Sequence, residues 1–135
     1  MNLETSLRIS AAGMHAQSAR LRVTSENLAN AQSTAQTPDG EPYRRKTISF
    51  ANALDRATGA ELVQVRRYGQ DRSPFELRFE PSHPAANDQG YVEYPNVSPL
   101  VELMDMREAQ RSFEANLTAM QQAKGMLQRT LDLLR

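Results

Sequence analysis

The hydrophobic positions of this chain gather in two stretches of helical period, one toward each end. From Pro99 to Arg135, Leu103, Met106, Gln110, Phe113, Leu117, Met120, Lys124, Leu127, Leu131 and Leu134 recur at steps of three and four. That is the seam of a helix paired with another helix. Gln110 and Lys124 are the polar breaks in it, of the kind that set register or partner choice. Ser98 is placed to cap the helix and Pro99 suits its first position. Glu102 and Asp105 fall near the positive end of the dipole, Arg129 and Arg135 near the other. As one helix the stretch reaches roughly 55 Å at 1.5 Å per residue. A domain of this size does not need so long a helix, so part of it is expected to be covered from outside.

Residues 3–31 form the second stretch. Leu7, Met14, Leu21 and Leu28 are spaced by seven with Leu3 on the same side, all within about 60° of the helix circumference. Ile9, Ala16 and Val23 make a second stripe nearly opposite, widened by Ala12 and Ala19, and Arg8, His15, Arg22 and Glu26 lie between the two. Two stripes suggest two neighbours, although one amphipathic helix with tolerated alanines has the same periodicity. Gly13 inside this helix costs about 1 kcal/mol against Ala, which close approach of a partner helix would justify.

The middle of the chain is of a different kind. Residues 32–43 are turn chemistry around Asp39-Gly40. Short extended pieces follow at Arg45–Phe50, Glu61–Val65, Phe75–Phe79 and Tyr91–Tyr94, interrupted by Ser73-Pro74 and by Pro81 to Pro84. Arg44-Arg45-Lys46, Arg66-Arg67 and Arg72 gather positive charge here, read as a solvated face or as a surface for an acidic partner. The expected fold is mainly α with a small β region: long N- and C-terminal helices paired as an antiparallel coiled coil, and a short β-rich, extended middle. Residues 1–33 and 98–135 form the helical assembly core; residues 34–97 form the middle, projecting from one end of the pair. A lone helix pair is marginal in water, so the termini are expected to fold on assembly.

Composition narrows the function classes. The 135 residues are 39% hydrophobic without Trp, and 16 basic side chains balance 16 acidic ones. A neutral chain lacks the footprint of a nucleic-acid binder. With no Cys there is no disulfide framework and no thiolate metal site. No run is apolar for long enough to span a bilayer, and Glu4 and Arg8 interrupt the start where a cleaved signal would need an apolar core. His15 and His83 are isolated from metal-ligand spacing, and no nucleophile-elbow, zincin, phosphate-loop or dinucleotide motif occurs. The carboxylates suit helix-surface ion pairs such as Glu108 with Arg111 and Arg111 with Glu114. No enzyme activity, cofactor, metal or small-molecule substrate is expected.

Two motifs carry a resemblance. Ser10-Ala11-Ala12-Gly13-Met14 with Arg20 to Ala31, and Asn96-Val97-Ser98-Pro99 through Arg111 to Asn116, resemble the paired terminal signatures of the bacterial flagellar rod and hook protein family. Thr37 to Arg45 and Gly90 to Val97 look like the corresponding segments of its short proximal rod subunits. Glu26 departs from the signature, which usually has a small residue there, and Gln32-Ser33-Thr34 is a looser form of its end. The resemblance implies a structural subunit of the basal-body rod that assembles helically with itself and other rod proteins into a torque-transmitting tube. It further implies contact with ring or adaptor proteins at the rod base, and passage unfolded through the flagellar type III export apparatus into the periplasm without a cleaved signal.

Within that frame Leu7, Met14, Leu21 and Leu28 are expected to pair in the chain with Leu103, Phe113, Leu117, Met120 and Leu127. Ile9, Ala16, Val23, Asn27, Asn30, Ala119, Ala123 and Met126 are expected to face other subunits. Two other classes remain open from the residues alone. One is a coiled-coil adaptor with a single partner; the other is a small enzyme using His83 or Asp88. Leu117→Asp is expected to abolish assembly and motility by burying an unpaired charge, and normal swimming of that variant would count against this seam.

Overall fold

The computed structural model describes residues 2–135. Its elements run α1 (Leu3–Ala29), β1 (Lys46–Leu54), β2 (Glu61–Gln70), β3 (Glu76–Phe79), β4 (Tyr91–Tyr94) and α2 (Pro99–Leu133). The two long helices pack together and the strands form two-stranded sheets, β1 with β2 and β3 with β4. Asn2 caps α1, its Oδ1 accepting from the Thr5 N–H at 2.7 Å. Ser98 opens α2 by accepting the Glu102 N–H on its carbonyl at 3.0 Å. Pro99 follows at the first helical position, where its missing N–H costs nothing. At the other end of α1, Asn30 donates both its backbone N–H, at 3.1 Å, and its side-chain amide, at 2.9 Å, to the Glu26 carbonyl, closing the last turn.

The chain divides into two compact units, Met1–Leu21 with Ile48–Arg67 and Arg107–Arg135, and Arg22–Thr47 with Tyr68–Met106. In the first, α1 and α2 are antiparallel: Gly13 faces Asn116, and Arg20 Nη2 meets Glu108 Oε2 at 3.3 Å. Glu108, expected to pair with Arg111, thus reaches across to α1. The buried positions are small, with Ala16 and Ala19 on α1 and Ala109 and Ala123 on α2. Side chains of that size let two helix backbones come close. A Cβ added at Gly13 would lie only 2.7 Å from Asn116 Nδ2, so a side chain there would require the Asn116 amide to move.

The ribbon β1–β2 belongs to both units. Its tip is closed by the Asp55 N–H donating to the Ala60 carbonyl at 2.8 Å, with the Thr58 hydroxyl on the Asp55 carboxylate at 2.9 Å and Gly59 at φ +73°. In the first unit this tip lies by the first turns of α1, where Arg8 Nη1 reaches Asp55 Oδ2 at 3.5 Å. In the second unit the base of the ribbon meets the last turns of α1 through Lys46 and Glu26. Within the first unit, then, the ribbon residues Ile48–Arg67 pack with the N-terminal part of α1, which there has a second neighbour in its own chain. The strands also run longer than the alternation suggested, because Asn52 and Arg66-Arg67 break the apolar pattern while backbone pairing continues past them.

In the second unit β3 and β4 pair antiparallel with Leu77 opposite Glu93 and Phe79 opposite Tyr91. Val92 and Tyr94 turn inward onto Ala85, with Ala35 and Ala86 packed around them. Gly90 precedes β4 at φ +87°, a conformation open to glycine at little cost. Gly13→Ala is expected to lower the thermal midpoint even though Ala favours a helix by about 1 kcal/mol, and Gly13→Ala with Asn116→Ala to recover it. Thermal denaturation of the four proteins of this cycle checks it, and a higher midpoint for the single Gly13 variant would show that the contact is not tight.

Candidate functional site: helix faces and a polar hub

The residues expected to pair within the chain lie mostly at the margin of the contact. Leu7, Met14, Leu21, Leu28, Phe113, Leu117 and Met120 are half-buried, and Leu103 and Leu127 are exposed. Of the residues expected to face other subunits, Ala16, Val23, Asn27 and Ala123 are buried by the chain itself, while Ile9, Ala119 and Met126 are exposed. Asn30 is half-buried and spent on the cap of α1. The difference has a steric cause. Helices approach closest along their smallest side chains, which leaves the leucines on the flank with surface still to cover.

The second unit holds a buried polar hub that links α1, the start of β1 and the start of α2. Asn27 has no solvent exposure and uses its whole hydrogen-bonding capacity. Its Nδ2 donates to the Lys46 carbonyl at 2.9 Å and, more weakly, to Glu102 Oε2 at 3.5 Å. Its Oδ1 accepts from the Tyr43 hydroxyl at 2.7 Å and from the Lys46 N–H at 2.8 Å. Glu102 is likewise fully buried, and its Oε1 accepts from Arg45 Nε at 2.5 Å. Arg45 also faces Asp71 at 3.5 Å and Asp105 at 3.9 Å. Asn96 completes the frame, accepting the Arg45 N–H at 2.8 Å and donating to the carbonyls of Asp71 and Ser73. Glu26, the departure from the family signature, takes Lys46 Nζ at 2.5 Å.

The electrostatics follow from this packing. Burial, then the charges of Glu26 and Glu102, push the Tyr43 hydroxyl above its usual pKa, keeping it a donor. Burial works to lower Arg45, but the hydrogen bond and charge of Glu102, with Asp71 and Asp105, raise it on balance. The Ser73 backbone N–H, with Arg45 beside it, holds Asp71 below its usual range. Of the basic residues read as a solvated face or a partner surface, Arg44, Arg45 and Lys46 are consumed internally, whereas Arg66, Arg67 and Arg72 are exposed. Arg44 stacks on Phe75 at 4.2 Å and donates to the Asp71 carbonyl, Arg45 holds Glu102, and Lys46 holds Glu26.

Sequence reasoning did not foresee this hub, yet a signal was present. Gly13, Arg20 and Asn27 are spaced by seven, as are Glu102, Ala109, Asn116 and Ala123. A charged residue on such a line marks a buried position that must find a partner. His83, the remaining candidate for chemistry, is occupied structurally. Its Nδ1 accepts the Ala85 N–H at 2.9 Å, which places the ring proton on Nε2, 3.2 Å from the Thr34 hydroxyl. Asp88 is exposed. Among the described residues no group of acidic or histidine side chains is arranged to hold a metal ion, and no helix is long and apolar enough to cross a membrane.

An antiparallel helix pair with uncovered leucines and a hub that fixes its internal register defines a subunit made for assembly. Residues 88–133 match the family described as flagellar basal body rod FlgEFG protein C-terminal, which is the class the terminal signatures resemble. The chain belongs to the family of the flagellar basal-body rod protein FlgC. It is 46% identical to the member from Agrobacterium fabrum over 98% of this chain and 96% of that one. It is 41% identical to the Bacillus subtilis protein over 95% of each chain, and 39% identical to the Salmonella typhimurium protein over 93% of this chain and 92% of that one. The chain is accordingly a structural rod subunit of the flagellar basal body, acting in motility together with other rod proteins.

Arg45→Ala leaves Glu102 buried without its cation, and removing one partner of a buried pair costs roughly 3–5 kcal/mol. A loss near the low end is expected because Arg45 is itself partly exposed. Glu102→Gln, which keeps an acceptor and removes the charge, should be milder. Denaturant midpoints of the two variants check this order, and equal losses would show that the charge is not what Arg45 satisfies.

Proposed function

We propose that the chain assembles helically, with copies of itself and with other rod proteins, into the proximal part of the rod, a hollow drive shaft carrying motor torque across the periplasm. On this reading residues 1–33 and 98–135 are the assembly core and residues 34–97 supply lateral contacts. The subunit meets ring or adaptor proteins at the rod base and arrives through the flagellar type III export apparatus.

The observation that carries this reading is the register of the helices. Gly13 faces Asn116 and Arg20 meets Glu108, so the first turn of α1, at Leu3, falls opposite about residue 126 at one residue per residue of antiparallel pairing. The line of small residues on α2 continues past that point as Leu127, Leu131 and Leu134, and these are 40%, 53% and 79% exposed. The seam outlasts its intrachain partner. Fully burying a leucine is worth about 1.5–3 kcal/mol, so this overhang, with Ile9, Ala119 and Met126, stores stabilisation available on assembly.

Leu131→Asp is expected to leave the circular-dichroism spectrum and denaturant midpoint of the purified chain unchanged while preventing its incorporation into basal bodies and stopping motility. Ala109→Leu, at a fully buried position, should instead lower the midpoint by about 1–3 kcal/mol through overpacking. Normal motility of the Leu131 variant would sink the overhang as an assembly surface.

A further inference from the structure

We propose that the outer face of the β3–β4 sheet is the seat for Arg67 on β2 of a second copy of this chain, with Arg66, which leaves the strand on the opposite face, at the rim. The proposal rests on the rod-subunit reading and specifies which lateral surfaces meet.

The pairing register places Leu77, Phe79, Tyr91 and Glu93 on one face of the sheet, opposite the face where Val92 and Tyr94 are buried. Leu77 and Phe79 are 60% and 63% exposed, and Phe79 stands edge-to-face on Tyr91 with ring centroids 5.4 Å apart. A Cβ at Gly90 would lie 2.8 Å from Phe79 Cε2, so the turn holds that ring close and the face is formed in advance. Tyr91 and Glu93 continue into a groove of about 300 Å³ whose wall also carries Asp39 and Glu41. Aromatic faces beside carboxylates suit the guanidinium group, which stacks through its plane and donates through its edge. The same sheet shows that recognition on its other side, where Arg78 lies 4.2 Å from the Tyr94 ring centroid and 3.1 Å from Glu76.

Charge complementarity supports the occupant. Arg44, Arg45 and Lys46 are taken up by the hub, whereas Arg66 and Arg67 are exposed and their side chains carry no ion pair among the described residues. The chain is neutral overall, with 16 basic and 16 acidic residues, so an unpaired acidic surface and an unpaired basic one on the same molecule are complementary between copies. Contact of two different patches is head-to-tail, the geometry that repeats into a ring or a helix. A groove walled by Asp39, Glu41 and Glu93 does not favour a phosphate-bearing partner, and a single ammonium would leave the aromatic faces unused.

The natural chain has no Cys, which makes disulfide trapping specific. Arg67→Cys and Glu93→Cys are placed together in the full chain, expressed in cells in place of the natural protein, and basal bodies are isolated and oxidised. A ladder of disulfide-linked multimers is expected, with neither single-cysteine variant giving one. A swimming strain whose basal bodies contain the double variant yet yield no ladder would overturn the docking and leave the rod reading standing. Absence of the natural chain from isolated basal bodies would remove the rod reading and the docking with it. Charge reversal gives a second readout that needs no oxidation. Glu93→Arg, and Arg66→Glu with Arg67→Glu, should each cut incorporation into basal bodies by at least about tenfold, and the three changes in one chain should restore it, since like charges facing each other exclude a partner. Normal incorporation of either reversal, or no recovery in the combined variant with its helicity intact, would overturn the proposal.

Discussion

Glu102 carries a carboxylate where no solvent reaches it, and a charge in such a place is tolerated only if paired and hydrogen-bonded. Arg45 supplies the charge, Asn27 a further donor, and each of these is held in turn by Tyr43, Lys46, Asn96 and Asp71. The network has one member on α1, one on α2 and several at the entry to the ribbon. Shifting any of these segments by one residue would leave a buried polar atom without a partner. Apolar contacts carry no comparable penalty for sliding, so specificity comes from the hub while much of the remaining attraction is non-directional.

The small-residue seam works together with that constraint. Gly13, Ala16, Ala109 and Ala123 bring the helices close without burying much apolar area, and the leucines beside them stay half-covered. The pair is consequently specific before it is very stable. For a structural rod subunit this is a coherent division: internal register is fixed within the chain, and apolar surface on α2 is left exposed, which on the proposed reading neighbours would cover. The exposed Leu127, Leu131 and Leu134 are the clearest instance, since their line is continuous with buried positions on the same helix.

Much of the fold was legible in the sequence. The heptad spacing located both helices, the capping residues the start of α2, and the short extended piece at Tyr91–Tyr94 matches β4 to the residue. The ribbon was foreshortened because backbone pairing in β1 and β2 tolerates polar side chains that a hydrophobic count treats as breaks. Its course along α1 was not legible, since it depends on Arg8 meeting Asp55 and Lys46 meeting Glu26, pairs far apart in the chain. The division between inward and outward helix faces was also misjudged for Ala16, Val23 and Ala123. Periodicity weighs a leucine above an alanine, whereas geometry rewards the smaller side chain at the point of closest approach. Asn27 and Glu102 were read as a residue facing other subunits and a dipole residue because polarity alone does not reveal that a group has found all its partners.

On the proposed reading of the rod as a drive shaft, the hub has a mechanical meaning. Torque carried along such a tube would reach each subunit as shear between neighbouring helices, and oily surfaces resist shear poorly because one packed arrangement can give way to the next. A set of hydrogen bonds and ion pairs that all require one alignment behaves instead like a keyed joint. In this chain the key lies in the second unit, where the last turns of α1, the base of the ribbon and the first turns of α2 are held by one set of polar contacts.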